Sequence, residues 1–560
     1  MKKIILILAA LLLTAGIAQA ATIVIVNADG PGEGFNDNTP AAPVGGNPGT
    51  TIGEQRLNLF QEAADIWGSL LESDVTIRVQ SSFDVLDCDA TGGVLGSAGP
   101  LVVERDWGTE EWSGTWYHAA LANKQAGTDL TTDSNDIRAR FNAAIDNNDN
   151  CLSGTNWYYG FDGNQGGDIA LLPVLLHEMG HGLGFSTFVD ESDGSEFFGL
   201  PDVFSRHILD TTTGLHWNEM NNFQRAESAI NTGKLVWDGD GVTGASSYFL
   251  AGTPKLFANS PGSLPATMDL GLASFGPSLD EAGITGDVVL GDDAAGASSD
   301  GCEPLVNGAQ IAGNIALIDR GNCTFASKAL NAQNAGAIAV IIVDNQVSST
   351  PPGLGGTGPL VTIPTVSVTL ADGNLIKAAL GGGVNVTLGL DPSELAGADA
   401  QGRVKLYAPN PIQPGSSISH FDVSAFPNLL MEPAINDNLN DEVDLTIQLF
   451  DDIGWFSPRV SPVPEVVAKG FELSPNYPNP FNPSTRIDFR VGEAGPVRLM
   501  IHDMAGRLVR TLVRDDLEAR EYTITWTGED DAGRRVGSGV YFYRLEAPGF
   551  SETKRMVLLK

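Results

Sequence analysis

At 560 residues the chain has room for roughly three or four domains of about 150 residues each, and 42% hydrophobic with 18% charged residues suits several packed cores. The 32 Lys and Arg against 69 Asp and Glu leave a net charge of −37, which excludes a nucleic-acid partner because no basic footprint exists. Gly 66 and Pro 31 make about a sixth of the chain, which excludes collagen and low-complexity disorder and points to many turns.

Residues 1–20 read as a signal peptide. Lys2 and Lys3 precede the apolar run Ile4–Leu13, and Ala18-Gln19-Ala20 supplies a small-residue cleavage site. The run is too short to span a bilayer, and no later stretch reaches 18 uninterrupted apolar residues. The expected location is therefore secreted or at the cell surface. In an exported chain, four cysteines predict two disulfides. Cys302 and Cys323 bracket a short compact stretch and are natural partners, which leaves Cys88 for Cys151.

Ala21–Val26 then reads as a strand and Gly30–Thr51 as a turn-rich stretch. From Gly53 to Leu71, Leu57, Leu59, Phe60, Ala63, Ile66, Trp67 and Leu70 fall at helical spacing. Val75–Val79 follows as a strand, and Ile137–Ile145 is predicted helical.

The chemistry lies in Leu175-Leu176-His177-Glu178-Met179-Gly180-His181-Gly182-Leu183-Gly184-Phe185. Two histidines four apart sit one above the other on a helix, so both imidazoles reach one metal ion. Glu178 is placed to hold and deprotonate a water at that ion. Zinc suits imidazole ligands and non-redox hydrolysis. Leu175, Leu176, Met179 and Leu183 give the helix an apolar face, Pro173 fits only its first turn, and Gly182 and Gly184 are expected to end it. A zinc hydrolase wants a third protein ligand and one open position. The compact arrangement would put that ligand at Thr187, which cannot serve. His118, His207, His216, His420 and His502 remain, with Asp190, Glu191 and Glu196 as acidic candidates. Spacing alone does not choose among them.

The stretch His177–Phe185, followed after a long insertion by Ser419-His420-Phe421-Asp422 and Asn428-Leu429-Leu430-Met431-Glu432-Pro433, resembles the leishmanolysin branch of the metzincin metallopeptidases. The resemblance implies zinc on His177, His181 and His420, Glu178 as base, and Met431 in a methionine turn beneath the metal. His207 is the best rival to His420. Nothing in the sequence derives a structural calcium.

Between His181 and His420 lie 238 residues, too many for one loop, so an inserted domain is expected. Gly313–Phe325, a helix at Ala326–Ala335 and a strand at Ala337–Val343 read as a βαβ unit, with another strand at Ile363–Val368 and a helix at Ala371–Leu380. These residues resemble the protease-associated domain, and the resemblance, which includes Cys302 with Cys323, implies a lid or substrate-docking role. Asp441–Trp455 fits a closing helix, and the Pro-rich residues 457–470 read as a linker.

Residues 471–560 carry 13 basic and 13 acidic residues, so the preceding 470 hold the whole negative charge. Strands are expected at Thr485–Val491, Val497–Asp503, Glu521–Thr527, Gly539–Glu546 and Thr553–Leu559, with hairpin turns at Ala505–Arg507 and Asp531–Arg534. The pattern resembles C-terminal sorting domains of type IX secretion, related to the immunoglobulin-like domain of flagellar hook-capping proteins. This implies outer-membrane secretion machinery as a partner. His502 is read as structural.

The expected architecture is multidomain: an α+β metzincin catalytic domain (21–257 and 399–456), an inserted α/β protease-associated domain (258–398) and a C-terminal all-β Ig-like sandwich (471–560). The expected function is zinc-dependent endopeptidase action on protein or peptide substrates, by a monomer. The competing class is a surface adhesin or binding protein on an inactive metallopeptidase fold. An intact Glu178 beside both histidines favours the enzyme, because a scaffold needs no base there.

Overall fold

Leu59, Phe60, Ala63, Ala64 and Trp67 recur at helical spacing and are all buried, and together they hold the helix Ile52–Leu70 against its sheet. Thr51 caps this helix by accepting the Glu54 N–H. The computed structural model describes residues 20–456 and 471–558, apart from 281, 295–298, 357, 359, 436–438, 440–442 and scattered positions between 475 and 549. Residues 1–19, read above as part of a signal peptide, and 457–470, read as a linker, lie outside the described residues. No described helix is long and apolar enough to cross a membrane. The chain divides into two compact units, Met1–Ser457 and Pro458–Lys560.

In the first unit, the strands Ile23–Asn27, Ile77–Asp84 and Ile137–Asn142 run parallel, and Gly96–Pro100 closes the sheet antiparallel to Ile137–Asn142. The helix predicted over Ile137–Ile145 is thus a strand over most of its length. Ile137, Ala139 and Phe141 are buried while Arg138 is exposed and Arg140 half-buried, a period of two that the short apolar count concealed.

The helix Leu171–Leu183 is buried along its whole length. Pro173 lies in its first turn, and Gly184 ends it at φ 144°, as expected. Gly182 instead sits inside the helix, where a Cβ would collide with Ile137. Its role is close packing against the sheet, which corrects its reading as a terminator.

One hydrophobic core takes residues from both sides of the insertion, from Ala21 to Leu250 and from Ala398 to Trp455. The closing helix is shorter than expected, Thr446–Asp452. The inserted stretch has its own eight-stranded sheet, at whose centre Ile284–Leu290, Ile315–Asp319, Ala339–Val343 and Thr365–Val368 run parallel. Helix Phe325–Asn334 lies between Ile315–Asp319 and Ala339–Val343 in sequence, which gives the expected βαβ unit, and helix Leu370–Ala379 follows Thr365–Val368. Separate apolar clusters involve Leu317 and Ile341 on one face and Ile318 and Ile342 on the other. Both disulfides form as expected, Cys88–Cys151 and Cys302–Cys323.

The insertion leaves and returns on paired antiparallel strands, Gly252–Ser260 and Asn385–Leu395, with Gly252 opposite Leu395. Its ends are therefore neighbours, about 5 Å apart across the ladder. Replacing residues 253–394, between these paired ends, by a short Gly/Ser linker is expected to leave the core around the histidine helix folded, with its own cooperative melting transition. Loss of that transition would show that the insertion belongs to the core around the histidine helix.

The second unit packs two sheets around Phe481, Ile487, Leu499, Ile501, Trp526, Tyr543 and Met556. One holds Glu472–Leu473, Thr485–Arg490 and Glu521–Trp526; the other orders Leu508–Leu517, Gly495–Asp503, Gly539–Ala547 and Phe550–Leu558. Leu508–Leu517 escapes the sequence pattern because it is a charged edge strand with Arg510, Arg514, Asp515 and Asp516. No hairpin joins Glu521–Trp526 to Gly539–Ala547: the two strands lie in different sheets, and the proposed turn residues 531–533 fall outside the described residues. The turn residues 505 and 506 also fall outside them, although the strands they connect are paired antiparallel. His502 lies on the strand Gly495–Asp503.

Candidate metal centre

His177 and His181 project from one face of the histidine helix, and their Nε2 atoms are 3.1 Å apart. His420 arrives from the chain beyond the insertion, with its Nε2 3.2 Å from that of His177. These three are the histidines the structure brings together, with ligand atoms all within 4.8 Å. Each ring is fixed from behind by a backbone carbonyl: Nδ1 of His177 on Leu430 O at 2.8 Å, of His181 on Phe185 O at 2.8 Å, and of His420 on Ser416 O at 2.7 Å. A carbonyl can only accept, so each Nδ1 carries the hydrogen and each Nε2 presents a lone pair to the other two.

Three lone pairs within 4.8 Å of one another, with those of His181 and His420 at 3.1 and 3.2 Å from that of His177, repel unless a cation lies between them. Protons are a poor choice here. Burial lowers His177 to about 3 and His181 to about 4, and burial with the neighbouring histidines holds His420 well below its ordinary value. A neutral three-imidazole set with carbonyls behind it and a cavity in front fits a zinc ion with one open position.

Met431 is fully buried against Gly180 of the histidine helix, where a Cβ would stand 2.8 Å from the Met431 sulfur. Its carbonyl accepts the Phe421 N–H at 2.8 Å, which ties the methionine segment to the residue after His420. Leu430, whose carbonyl holds His177, donates its own N–H to Asp444 at 2.5 Å. Burial raises that carboxyl to about 6, against the backbone N–H bonds that favour its ionised form.

Glu178 is 8% exposed and faces the edge strand Gly96–Pro100, accepting a backbone hydrogen bond from Ala98. Burial pushes its carboxyl up to about 8, and a dication on the adjacent imidazoles would bring it down again. Glu178 and the three histidines line a cavity of about 740 Å³ together with Gly96, Ser97 and Ala98 of that strand.

The rival ligands are engaged elsewhere. His207 stacks on Trp237 with ring centroids 4.9 Å apart, and His216 bonds Asp238 at 2.9 Å. Thr187 donates to Asp202 at 2.8 Å, Asp190 caps Ser192, and Glu196 pairs with Arg225 at 3.2 Å. Glu191 is not among the clustered ligand atoms. His118 lies close to His181 without joining the cluster: it bonds Ser186 at 2.8 Å, and Ser186 lines the same cavity. Sequence reading missed this pair and the edge strand, because neither leaves a spacing or apolar signal. In the insertion, the ligand atoms of Asp293, Asp300 and Glu303 also lie within 4.8 Å of one another. The Cys302 N–H bonds both aspartates, and the Lys328 ammonium holds the Asp300 carbonyl.

Residues 284–376 match the PA domain family, and residues 481–549 match the FlgD Ig-like domain family. Similar curated proteins include ER degradation-enhancing alpha-mannosidase-like protein 3 of Xenopus laevis, 39% identical over 92 residues, or 14% of this chain and 10% of that protein. A probable leucine aminopeptidase 2 of Aspergillus fumigatus is 39% identical over 94 residues, 16% of this chain and 19% of that one. Among solved structures, BSAP, a zinc aminopeptidase from Bacillus subtilis, is 29% identical over 25% of this chain and 31% of its own, with a TM-score of 0.20. The chain spans about a tenth of the first curated relatives it matches. A mannosidase-like protein and an aminopeptidase share no reaction, so these likenesses are the size of a module and speak for a module. The chain is thus a multidomain protein with a PA domain, a FlgD-like Ig domain and mixed α/β content.

Proposed function

We propose that the chain is a secreted zinc-dependent endopeptidase of the leishmanolysin-like metzincin type, with His177, His181 and His420 as ligands. The observation that carries this reading is the convergence of three carbonyl-oriented Nε2 atoms beside a buried carboxylate in one cavity. Peptidases are among the proteins similar to this chain over a stretch of module size.

Gly96–Pro100 is an edge strand, paired on one side only among the described residues, and it borders the cavity. An extended substrate segment can add to that edge by main-chain hydrogen bonds. The strand would align a peptide past Glu178, which suits cleavage within a chain. Bound zinc supplies Lewis acidity, toward water and toward a carbonyl oxygen alike. Glu178 takes the proton of the attacking water on its carboxylate and passes it to the nitrogen of the leaving amine as the C–N bond breaks. Met431 and the carbonyl of Leu430 keep the ligand set in place. The inserted domain would serve docking of protein substrates, and the C-terminal domain would serve sorting through an outer membrane.

Casein digestion by the purified chain tests this reading. Activity should disappear with a chelator and return on adding zinc. Digestion unaffected by chelator would point to a different catalytic apparatus, and absence of digestion to a binding protein.

A further inference from the structure

Ser186 and His118 form a second polar pair at the cavity that the reading above does not use. His118 is fully buried, its ring 4.6 Å from that of Phe188, and its Nε2 lies 2.8 Å from Ser186 Oγ. Among the described residues its other nitrogen, Nδ1, is buried with no hydrogen-bond partner. The ring carries one hydrogen, because burial holds its basicity down to about 3. A hydrogen on Nδ1 would be a buried orphan donor. The same hydrogen on Nε2 meets Ser186 and leaves only an orphan lone pair at Nδ1. Orphan donors are the rarer and costlier of the two in protein interiors, so the Nε2–H form is favoured. In that form His118 donates to Ser186 Oγ, and the hydrogen of the Ser186 hydroxyl cannot point back at the ring. Ser186 is only partly buried and lines the cavity shared by His177, Glu178, His181 and His420.

We infer that Ser186, held by His118, is the hydrogen-bond donor that stabilises negative charge developing on the oxygen of the scissile carbonyl, which rests on the peptidase reading. The hydroxyl keeps its proton throughout, and Glu178 remains the group that moves one. His118 is a positioning residue. It fixes the rotor of Ser186 from a site that substrate does not reach, and such pre-set donors are effective where charge appears in a water-poor site.

The test compares the full wild-type chain with Ser186→Ala, His118→Phe, the double variant and His118→Gln. It reads bound zinc, kcat and KM on a fluorogenic peptide, and affinity for a phosphinic peptide that mimics the tetrahedral oxyanion. Ser186→Ala should keep its zinc and hold KM within about twofold, while kcat and phosphinic-peptide affinity fall about 100-fold. His118→Phe should approach the Ser186→Ala level, and the double variant should be no worse than Ser186→Ala alone. His118→Gln, whose amide N–H can take the place of Nε2–H, should recover most of the loss. Turnover of Ser186→Ala within about threefold of wild type would overturn the assignment. Fully additive losses in the double variant would overturn the coupling. If His118→Phe does not fold, Ser186→Ala and His118→Gln decide. A wild type that neither cleaves peptides nor binds the phosphinic peptide would overturn the peptidase reading itself, and this inference with it.

Discussion

Glu178→Gln is expected to keep zinc bound while peptide hydrolysis falls by about 10³–10⁴-fold, the upper range for loss of a general base. The two functions separate because the carboxylate is not part of the three-nitrogen cluster. It sits one residue along the helix from His177 and accepts the Ala98 N–H. A glutamine carbonyl oxygen can accept the same bond in the same volume, so the edge strand keeps its anchor. What the amide cannot do is take a proton from water. Burial disfavours the ionised carboxylate in the metal-free chain, and the neutral amide removes that cost. The metal-free variant should therefore melt no lower than wild type at neutral pH. Near-normal turnover with zinc in place would remove Glu178 from the mechanism.

His420→Ala should weaken zinc binding by more than about 100-fold, beyond what loss of an outer-shell partner costs, and should abolish hydrolysis at limiting zinc. Its imidazole is the part of the cluster that does not come from the histidine helix. Removing it leaves two nitrogens one helical turn apart and a gap on the far side. The backbone around it is independently held: Tyr407 N–H bonds the His420 carbonyl at 2.9 Å, and Phe421 N–H bonds Met431 O at 2.8 Å. The fold should thus survive the substitution, as circular dichroism of the metal-free variant would check. His207→Ala is the matched control. That ring packs on Trp112 and Trp237, so its loss should lower the melting temperature and leave zinc stoichiometry unchanged. Zinc that survives His420→Ala but falls with His207→Ala would demand another ligand set.

These two substitutions also mark what could be read from the chain before its structure. His177 and His181 are legible because a spacing of four stacks them on one helix face, with Glu178 beside the first. His420 is separated from them by 238 residues, and no local pattern reports on that distance; resemblance to a known motif order was needed. The strand Ile137–Asn142 is hidden because a six-residue segment with two arginines satisfies a helical count as readily as an alternating one. Gly96–Pro100 carries no apolar signal at all, since Ser97, Ala98 and Gly99 join the sheet through backbone pairing rather than side chains. His118 and Ser186 are 68 positions apart, and nothing about either residue type announces the other. The paired ends of the insertion, Gly252 and Leu395, are equally silent in sequence, because register is set by the partner strand.

The most direct test of the account is anomalous diffraction at the zinc edge from crystals of the full chain. One peak is predicted, about 2.0–2.1 Å from Nε2 of His177, His181 and His420. A peak seated elsewhere, or an ordered histidine cluster with no peak from zinc-supplemented protein, would contradict it.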